Sequence, residues 1–431
     1  MSTLSLAVKG KGALNALRRG VSIARRYGVT PGRMERALAQ FAAVLQRFEC
    51  NATFPITAVV LRRNPEVIRK YQAGGIEFAI HGYRHVDYSQ LSPAEQAAHL
   101  RSAGEVFAQA GVQAKGFRSP YLRWNSATLA ALRQQGLAYD SSQALAWDVL
   151  HGAETPAYLH VLGFYGALSA SAYPAVPSLD GDLVRIPYSL PDDEALVERL
   201  ALKTPAQMDA LWLAILQRTY ELGELFTVGL HPERIAACRE PLVAVLARAR
   251  QRAPAVWIAR LDQVAAWWRE RTEAAVEIAG GAAGEGAGGL RLTVCGPAGT
   301  TVLARAVEVD VPTEPWAGGY RQVQATAFTA YAPRRPFIGL ARTCSPKLAD
   351  FMRQQGYIVE YAEGDRSYSY YFDQAEFADE HKRPVLEQIE RTGRPLVRLG
   401  RWPAGARSAL CVTGDIDSMT LWDYGLRFFG R

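Results

Sequence analysis

The 431-residue sequence has little cysteine, and what it has follows no pattern. Cys50, Cys238, Cys295, Cys344 and Cys411 are odd in number, far apart and never arranged as CxxC. That excludes a disulfide framework and a cysteine-based zinc site. Reduced, mostly buried thiols fit an intracellular, cytoplasmic setting. The opening "MSTLSLAVKGKGALNALRRG" has no apolar stretch long enough for a signal peptide or a membrane span. Blocks of five or six like charges are also missing. The net charge of +7, carried mainly by scattered arginines, therefore marks composition and no nucleic-acid surface. Histidine is scarce, at seven residues.

What is present is core material: 49% hydrophobic against 21% charged residues, at a length that predicts two or three domains. From Ala13 to Gln46 the pattern reads as two helices, the second capped by Thr30 with Pro31 first in the helix. "NATFPITAVV" reads as a buried strand, "NPEVIRKYQAGG" as a helix closed by glycines, and "IEFAI" as a strand running into His81. "SPAEQ" opens the next helix with a capping box of Ser92 and Glu95. Strand and helix signals then alternate through "GFRSPY", "LAYDSS", "LVRIPYSLP", "LFTVGLHPE" and "VWIARLDQVAAWWRER". Alternation at this pitch predicts parallel strands covered by helices. "GGAAGEGAGG" (Gly280 to Gly289) reads as a linker. Beyond it, "LRLTVCG", "TTVLARAVEV", "YRQVQATAFTAYA" and "FIGLA" predict a small antiparallel β module, followed by a short mixed segment.

Chemistry gathers at the strand ends. "HGYRH" sets His81 and His85 four apart, so both can face one metal ion if the backbone turns helical there. "FRSPY" supplies Arg118 and the Tyr121 backbone at a turn fixed by Pro120, and "GLHPE" supplies His231. Taken singly, these also read as a surface ion pair and a helix cap. "SALCVTGDIDSM" ends a strand in Asp415 and Asp417, the way a barrel strand delivers acids to its rim. Trp267 and Trp268 at helical spacing read as core, with a sugar platform as the alternative. Tyr368, Tyr370 and Tyr371 admit the same pair of readings on a strand.

The order "ATF", "HGYRHVDYSQLS", "RSPY", "YDSS", "LHPE" resembles the polysaccharide deacetylase (NodB-homology, carbohydrate esterase family 4) pattern. The resemblance implies an α/β fold, a distorted (β/α) barrel. It implies one divalent metal ion, zinc before other transition metals, held by His81, His85 and an aspartate. Gly82 departs from that family's small hydroxyl residue at this place. The family's acid-bearing first strand is missing before "NATFP", and "VTGDID" near the C-terminus supplies it. The chain thus resembles a circularly permuted deacetylase with an inserted β-rich and mixed module. Its expected parts are a barrel lacking its first strand (1–275), the insertion (276–400) and the completing strand and helix (401–431).

The resemblance makes Asp417 the metal ligand and Asp415 the base, with the reverse assignment open because the family's pair is adjacent. It makes His231 the acid, Arg118 the holder of Asp415, and the Tyr121 N–H an oxyanion donor. The implied activity is hydrolysis of an N-acetyl group from an N-acetylated carbohydrate. The alternatives are hydrolysis of a non-sugar amide or cyclic ureide on the same fold, and a glycan-binding barrel without turnover. No nucleic-acid partner and no membrane span are expected. A homo-oligomer, in which the last strand completes a neighbour's barrel, is the alternative to self-completion.

Overall fold

The computed structural model describes residues 26–280, 289–364 and 367–426. The first of the two expected N-terminal helices and nearly all of the glycine linker lie outside the described residues. The second helix runs Gly32–Arg47 with Pro31, not Thr30, at its N-cap. Its buried face is Met34, Leu38, Phe41, Val44 and Leu45, the helical spacing read in the sequence.

One curled sheet dominates residues 53–258. Its strands are β1 (Thr53–Ile56), β2 (Glu77–Ile80), β3 (Gly116–Phe117), β4 (Tyr139–Asp140), β7 (Ser178–Asp180), β8 (Leu183–Arg185), β10 (Leu225–Leu230) and β11 (Val256–Ile258), joined by β23 (Ser408–Gly414) from the far end of the chain. The order is β10-β23-β1-β2-β3-β4-β8-β7, with β11 also on β23. All pairings are parallel except β7 with β8. A second sheet of β6 (Leu168–Ser169), β5 (Ala144–Ala146) and β9 (Tyr188–Leu190) extends the wall. The β9–β10 seam is bridged by a side chain, the Thr227 N–H donating to Ser189 Oγ at 3.3 Å.

As the barrel's missing first strand, "SALCVTGDID" is expected to lie parallel between "ATFPITAVV" and "VWIARL", that is between β1 and β11. Instead β10 lines one whole edge of it, from Leu225↔Ala409 to Leu230↔Gly414. On the other edge β11 pairs with Ser408–Leu410, and β1 meets it at Thr413. Every residue of β23 and β10 is buried, as strands covered on both faces must be. The last described helix, Leu421–Leu426, lies beside the start of the described chain: Leu421 N–H donates to Gly28 O at 2.9 Å, and Tyr27 and Tyr424 rings sit 5.6 Å apart.

Two local expectations fail for tertiary reasons. "NATFPITAVV" is a strand only to Ile56; Ala58–Arg63 is helical, its Ala58 and Val59 N–H groups donating to Gly82 O and Tyr83 O. "LVRIPYSLP" splits into β8 and β9 around Pro187, which offers no N–H to a ladder. The Ser92–Glu95 capping box forms as read.

Residues 275–399 build three small sheets. β12 (Ala275–Ala279), β13 (Leu290–Cys295), β18 (Ala327–Tyr331) and β15 (Glu308–Val309) form one antiparallel sheet. β16 (Thr313–Pro315), β17 (Tyr320–Val323), β14 (Val302–Arg305) and β22 (Leu396–Leu399) form another. "FIGLA" departs from the antiparallel expectation: β19 (Arg335–Leu340) is the centre of a parallel trio with β20 (Val359–Tyr361) and β21 (Tyr368–Phe372). Helices Pro346–Gln354 and Lys382–Arg391 supply the covering such strands need. Trp267, Trp268, Tyr368 and Tyr370 are all buried, which removes the sugar-platform reading for them. Among the described residues no helix is long and apolar enough to cross a membrane.

Candidate functional site

The C-terminal ends of β2, β3, β10 and β23 converge, and each carries one of the residues singled out in the sequence. His81 follows β2 directly and is 2% exposed. The chain does not turn helical after it. Gly82, at φ +81°, reverses the backbone, and a Cβ there would lie 2.9 Å from Arg84 O and 3.0 Å from the Tyr88 ring. Glycine is thus required where the family resemblance led us to expect a hydroxyl residue. The turn still brings the two imidazoles together, with ring centroids 5.2 Å apart.

Asp415 and Asp417 sit two apart beyond β23, so both side chains leave the same face. Backbone pairing fixes them, with Asp415 N–H donating to Leu230 O at 2.9 Å and Ile416 N–H to Pro55 O at 2.7 Å. Asp417 Oδ1 lies 3.4 Å from His81 Nε2, and Oδ2 lies 3.2 Å from His85 Nε2. The three donor atoms form a group within 4.8 Å of one another. Ligands about 2.1 Å from a tetrahedral ion stand roughly 3.4 Å apart, so the set fits a divalent metal.

The tautomer of His81 sharpens that fit. Its Nδ1 is 2.8 Å from Arg118 O, a carbonyl that can only accept, so Nδ1 carries the hydrogen. A neutral His81 then turns the Nε2 lone pair toward a carboxylate. That arrangement is repulsive unless a cation lies between them or the ring takes a second proton. A metal-binding histidine whose other nitrogen donates to a carbonyl is the usual arrangement.

Asp415 belongs to a different network. Arg118, fully buried, donates from Nη1 to Asp415 Oδ1 at 2.6 Å and to Thr413 Oγ1 at 2.9 Å. Its Nε and Nη2 donate to Ser141 O and Ser141 Oγ, both at 3.1 Å. The guanidinium is fixed at every nitrogen and pairs with the carboxylate at the rim.

His231 follows β10. Asp193, which sequence reasoning missed, accepts the His231 backbone N–H at 2.6 Å and pairs with Nδ1 at 2.7 Å. Burial alone would lower the imidazole pKa, but the Asp193 carboxylate beside it outweighs burial and raises it well above the ordinary value. His231 therefore keeps its proton at neutral pH. The sequence signal was the "PDD" following β9, two adjacent acids at a strand end, which also reads as a solvated loop. Tyr121 and Leu122 both adopt positive φ, 59° and 55°, uncommon in consecutive non-glycine residues. The Tyr121 ring packs edge-on against His85 at 4.4 Å.

Comparison with known proteins agrees with the motif order. The family model described as polysaccharide deacetylase matches residues 30–139, the stretch that holds His81, His85, Arg118 and Tyr121. A chitooligosaccharide deacetylase of Bradyrhizobium sp. (strain ANU 289) is 33% identical over 108 residues, 25% of this chain and 47% of that protein. The chain thus spans about half the length of the curated relative it matches. Among solved structures, a probable polysaccharide deacetylase from Pseudomonas aeruginosa PAO1 aligns at 22% identity and TM-score 0.44, covering 54% of this chain and 72% of that one. Puue allantoinase aligns over the same shares at 19% identity and TM-score 0.44.

Proposed function

We propose that this chain, whose residues 30–139 belong to the polysaccharide deacetylase family, hydrolyses an N-acetyl group from an acetamido sugar or glycan with the help of one divalent metal ion. The observation that carries the reading is His81, His85 and Asp417 converging on one point, flanked by an arginine-held carboxylate and a carboxylate-held histidine. His81, His85 and Asp417 would hold the ion. Bound there, a divalent metal of the zinc type lowers the pKa of water and polarises a carbonyl oxygen.

The remaining work falls to the chain's own groups. Asp415, held in place by Arg118, takes the proton of the attacking water on a carboxylate oxygen. The Tyr121 N–H, turned by its left-handed backbone, donates to the oxyanion as the acyl carbon becomes tetrahedral. His231 then gives its Nε2 proton to the departing nitrogen, so that the amine leaves neutral. Asp193 orients that ring and stabilises its protonated form.

The same reading makes the chain a circular permutant, with β23 as the barrel's first strand. It is supported by the place of β23 between β10 and β1 and by the Gly28–Thr420 bridge beside it. Truncation after Gly405 would remove a central parallel strand and both acids, so insoluble protein is expected.

The test is metal analysis of the purified protein joined to acetate release from a panel of acetamido sugars. One bound equivalent, lost in His81→Ala and His85→Ala together with acetate release, supports the reading. Metal without acetate directs the assignment to a non-sugar amide, and neither metal nor acetate leaves a non-catalytic barrel.

A further inference from the structure

The mechanism leaves two buried groups beside it unused, Tyr188 and Asp192. Tyr188, on β9, is 1% exposed, and the Arg118 guanidinium carbon lies 4.5 Å above its ring centroid. The Tyr188 hydroxyl donates to Asp192 Oδ2 at 2.9 Å, and Asp192 Oδ1 accepts the Ala195 N–H at 2.8 Å. The next residue, Asp193, holds His231. One segment of six residues therefore touches both halves of the site: the arginine behind the base and the histidine that serves as acid.

The barrel makes room for this contact. Gly229 on β10, two residues before His231, faces Tyr188 so closely that a Cβ there would lie 1.8 Å from the hydroxyl oxygen. No side chain fits, and glycine is needed for the tyrosine to sit under the guanidinium. Burial and the adjacent Asp193 carboxylate push the Asp192 carboxyl up to about 7, so the pair sits in a dry, low-dielectric wall.

We propose that Tyr188 and Asp192 are positioning residues that fix Arg118, and through it Asp415, relative to His231. The role rests on the deacetylase reading for its kinetic consequence but not for its geometry. The Tyr188 ring supplies the face over which the guanidinium sits, a desolvated contact that also restricts its rotation. Asp192 fixes the tyrosine by its hydroxyl, and the backbone carries that register one residue on to Asp193.

The experiment uses full-length Tyr188→Leu and Tyr188→Phe, with metal content and thermal unfolding recorded for each. Tyr188→Leu is expected to lower kcat about 30-fold, the worth of a desolvated cation–π contact, with KM and metal stoichiometry unchanged. Tyr188→Phe keeps the ring but not the bond to Asp192, and should recover only part of that loss, the remainder being the share of Asp192. Independently of turnover, the slowly rotating guanidinium resonances of Arg118 should be seen by NMR in wild type and Tyr188→Phe and should broaden in Tyr188→Leu. If no panel sugar releases acetate but the resonances still respond, the positioning role stands and the substrate assignment falls. A folded Tyr188→Leu with wild-type kcat, a loss confined to KM, or unchanged Arg118 resonances would overturn the proposal.

Discussion

The two ends of the barrel strands both bury an arginine against a carboxylate, and they use the pair differently. At the floor, where the strands begin, Glu224 takes both terminal nitrogens of Arg383, with Nη2 at 3.0 Å from Oε2, and also accepts the Ala175 N–H at 2.9 Å. Arg383 Nη2 also donates to Ala170 O at 2.8 Å and to Tyr173 O at 3.0 Å. Around it Arg401 and Trp402 donate to Gly223 O. At the rim, Asp415 receives Arg118 on Oδ1 while its side chain keeps 9% of its exposure. The Nε2 atoms of His81 and His85 face one carboxylate. A closed pair holds parts together, and an open one stores reactivity. Arg383, from the region after residue 275, thus docks at the floor, opposite the rim that holds His81, His85 and Asp417.

The largest effect should come from breaking the rim. On the proposed roles Asp415→Asn removes a base and not a ligand, so turnover should fall by roughly 10²–10⁴ with metal retained. Asp417→Asn should release the metal. Metal analysis beside initial rates separates the two, and the opposite pattern would exchange the roles of the acids.

Breaking the floor should cost stability and leave chemistry alone. Arg383→Ala strands Glu224, whose side chain is 1% exposed, and removing one partner of such a pair costs about 3–5 kcal/mol. Chemical denaturation should show the loss, while the metal-bound variant keeps its kcat at low temperature. Joint replacement by Arg383→Met and Glu224→Gln should recover much of it, because no unpaired charge remains buried.

The comparison also explains what was readable in the sequence. His81, Arg118, Tyr121, His231 and the Asp415–Asp417 pair stand next to strands in the chain, so strand-end position revealed them. Asp193 and Tyr188 lie on a segment whose path depends on where β8 stops and β9 begins, and only tertiary packing settles that. Gly82 looked like a tolerated departure, yet its positive φ and the Tyr88 ring require it. At the floor, Glu224 and Arg383 are 159 residues apart, and neither carries a local signature. The helix at Ala58–Arg63 was unreadable for the same reason: its first two donors go to Gly82 and Tyr83, partners that no local pattern announces.

The smallest expected effect separates rim and floor by pH. At the rim, the raised pKa of His231 means that its pairing with Asp193 stabilises fully below the unfolded value near 6.5. That contribution is lost as pH rises through the higher folded value. At the floor, Glu77 accepts hydrogen bonds from Thr53, Tyr139 and the Asp262 N–H. Burial, and then the Asp262 carboxylate, raise its pKa to about 7 from 4.5. For an acid raised in this way the folded state binds more protons between those values, so stability falls as pH rises from 4.5 to about 7 and is flat above. Glu77→Gln can keep an acceptor for Thr53 and the Asp262 N–H while its NH2 turns to the Tyr139 hydroxyl, so its own offset is the same at every pH, and it should lose that slope. The Tm difference, variant minus wild type, is therefore expected to be more positive at pH 8 than at pH 5, by about 2–4 °C. Asp193→Asn should instead cost stability in full below pH 6.5, a loss that fades as pH rises above it, and should move the alkaline limb of turnover to lower pH, because His231 then loses its proton earlier. Parallel melting curves for Glu77→Gln and wild type at both pH values would show that Glu77 folds already charged.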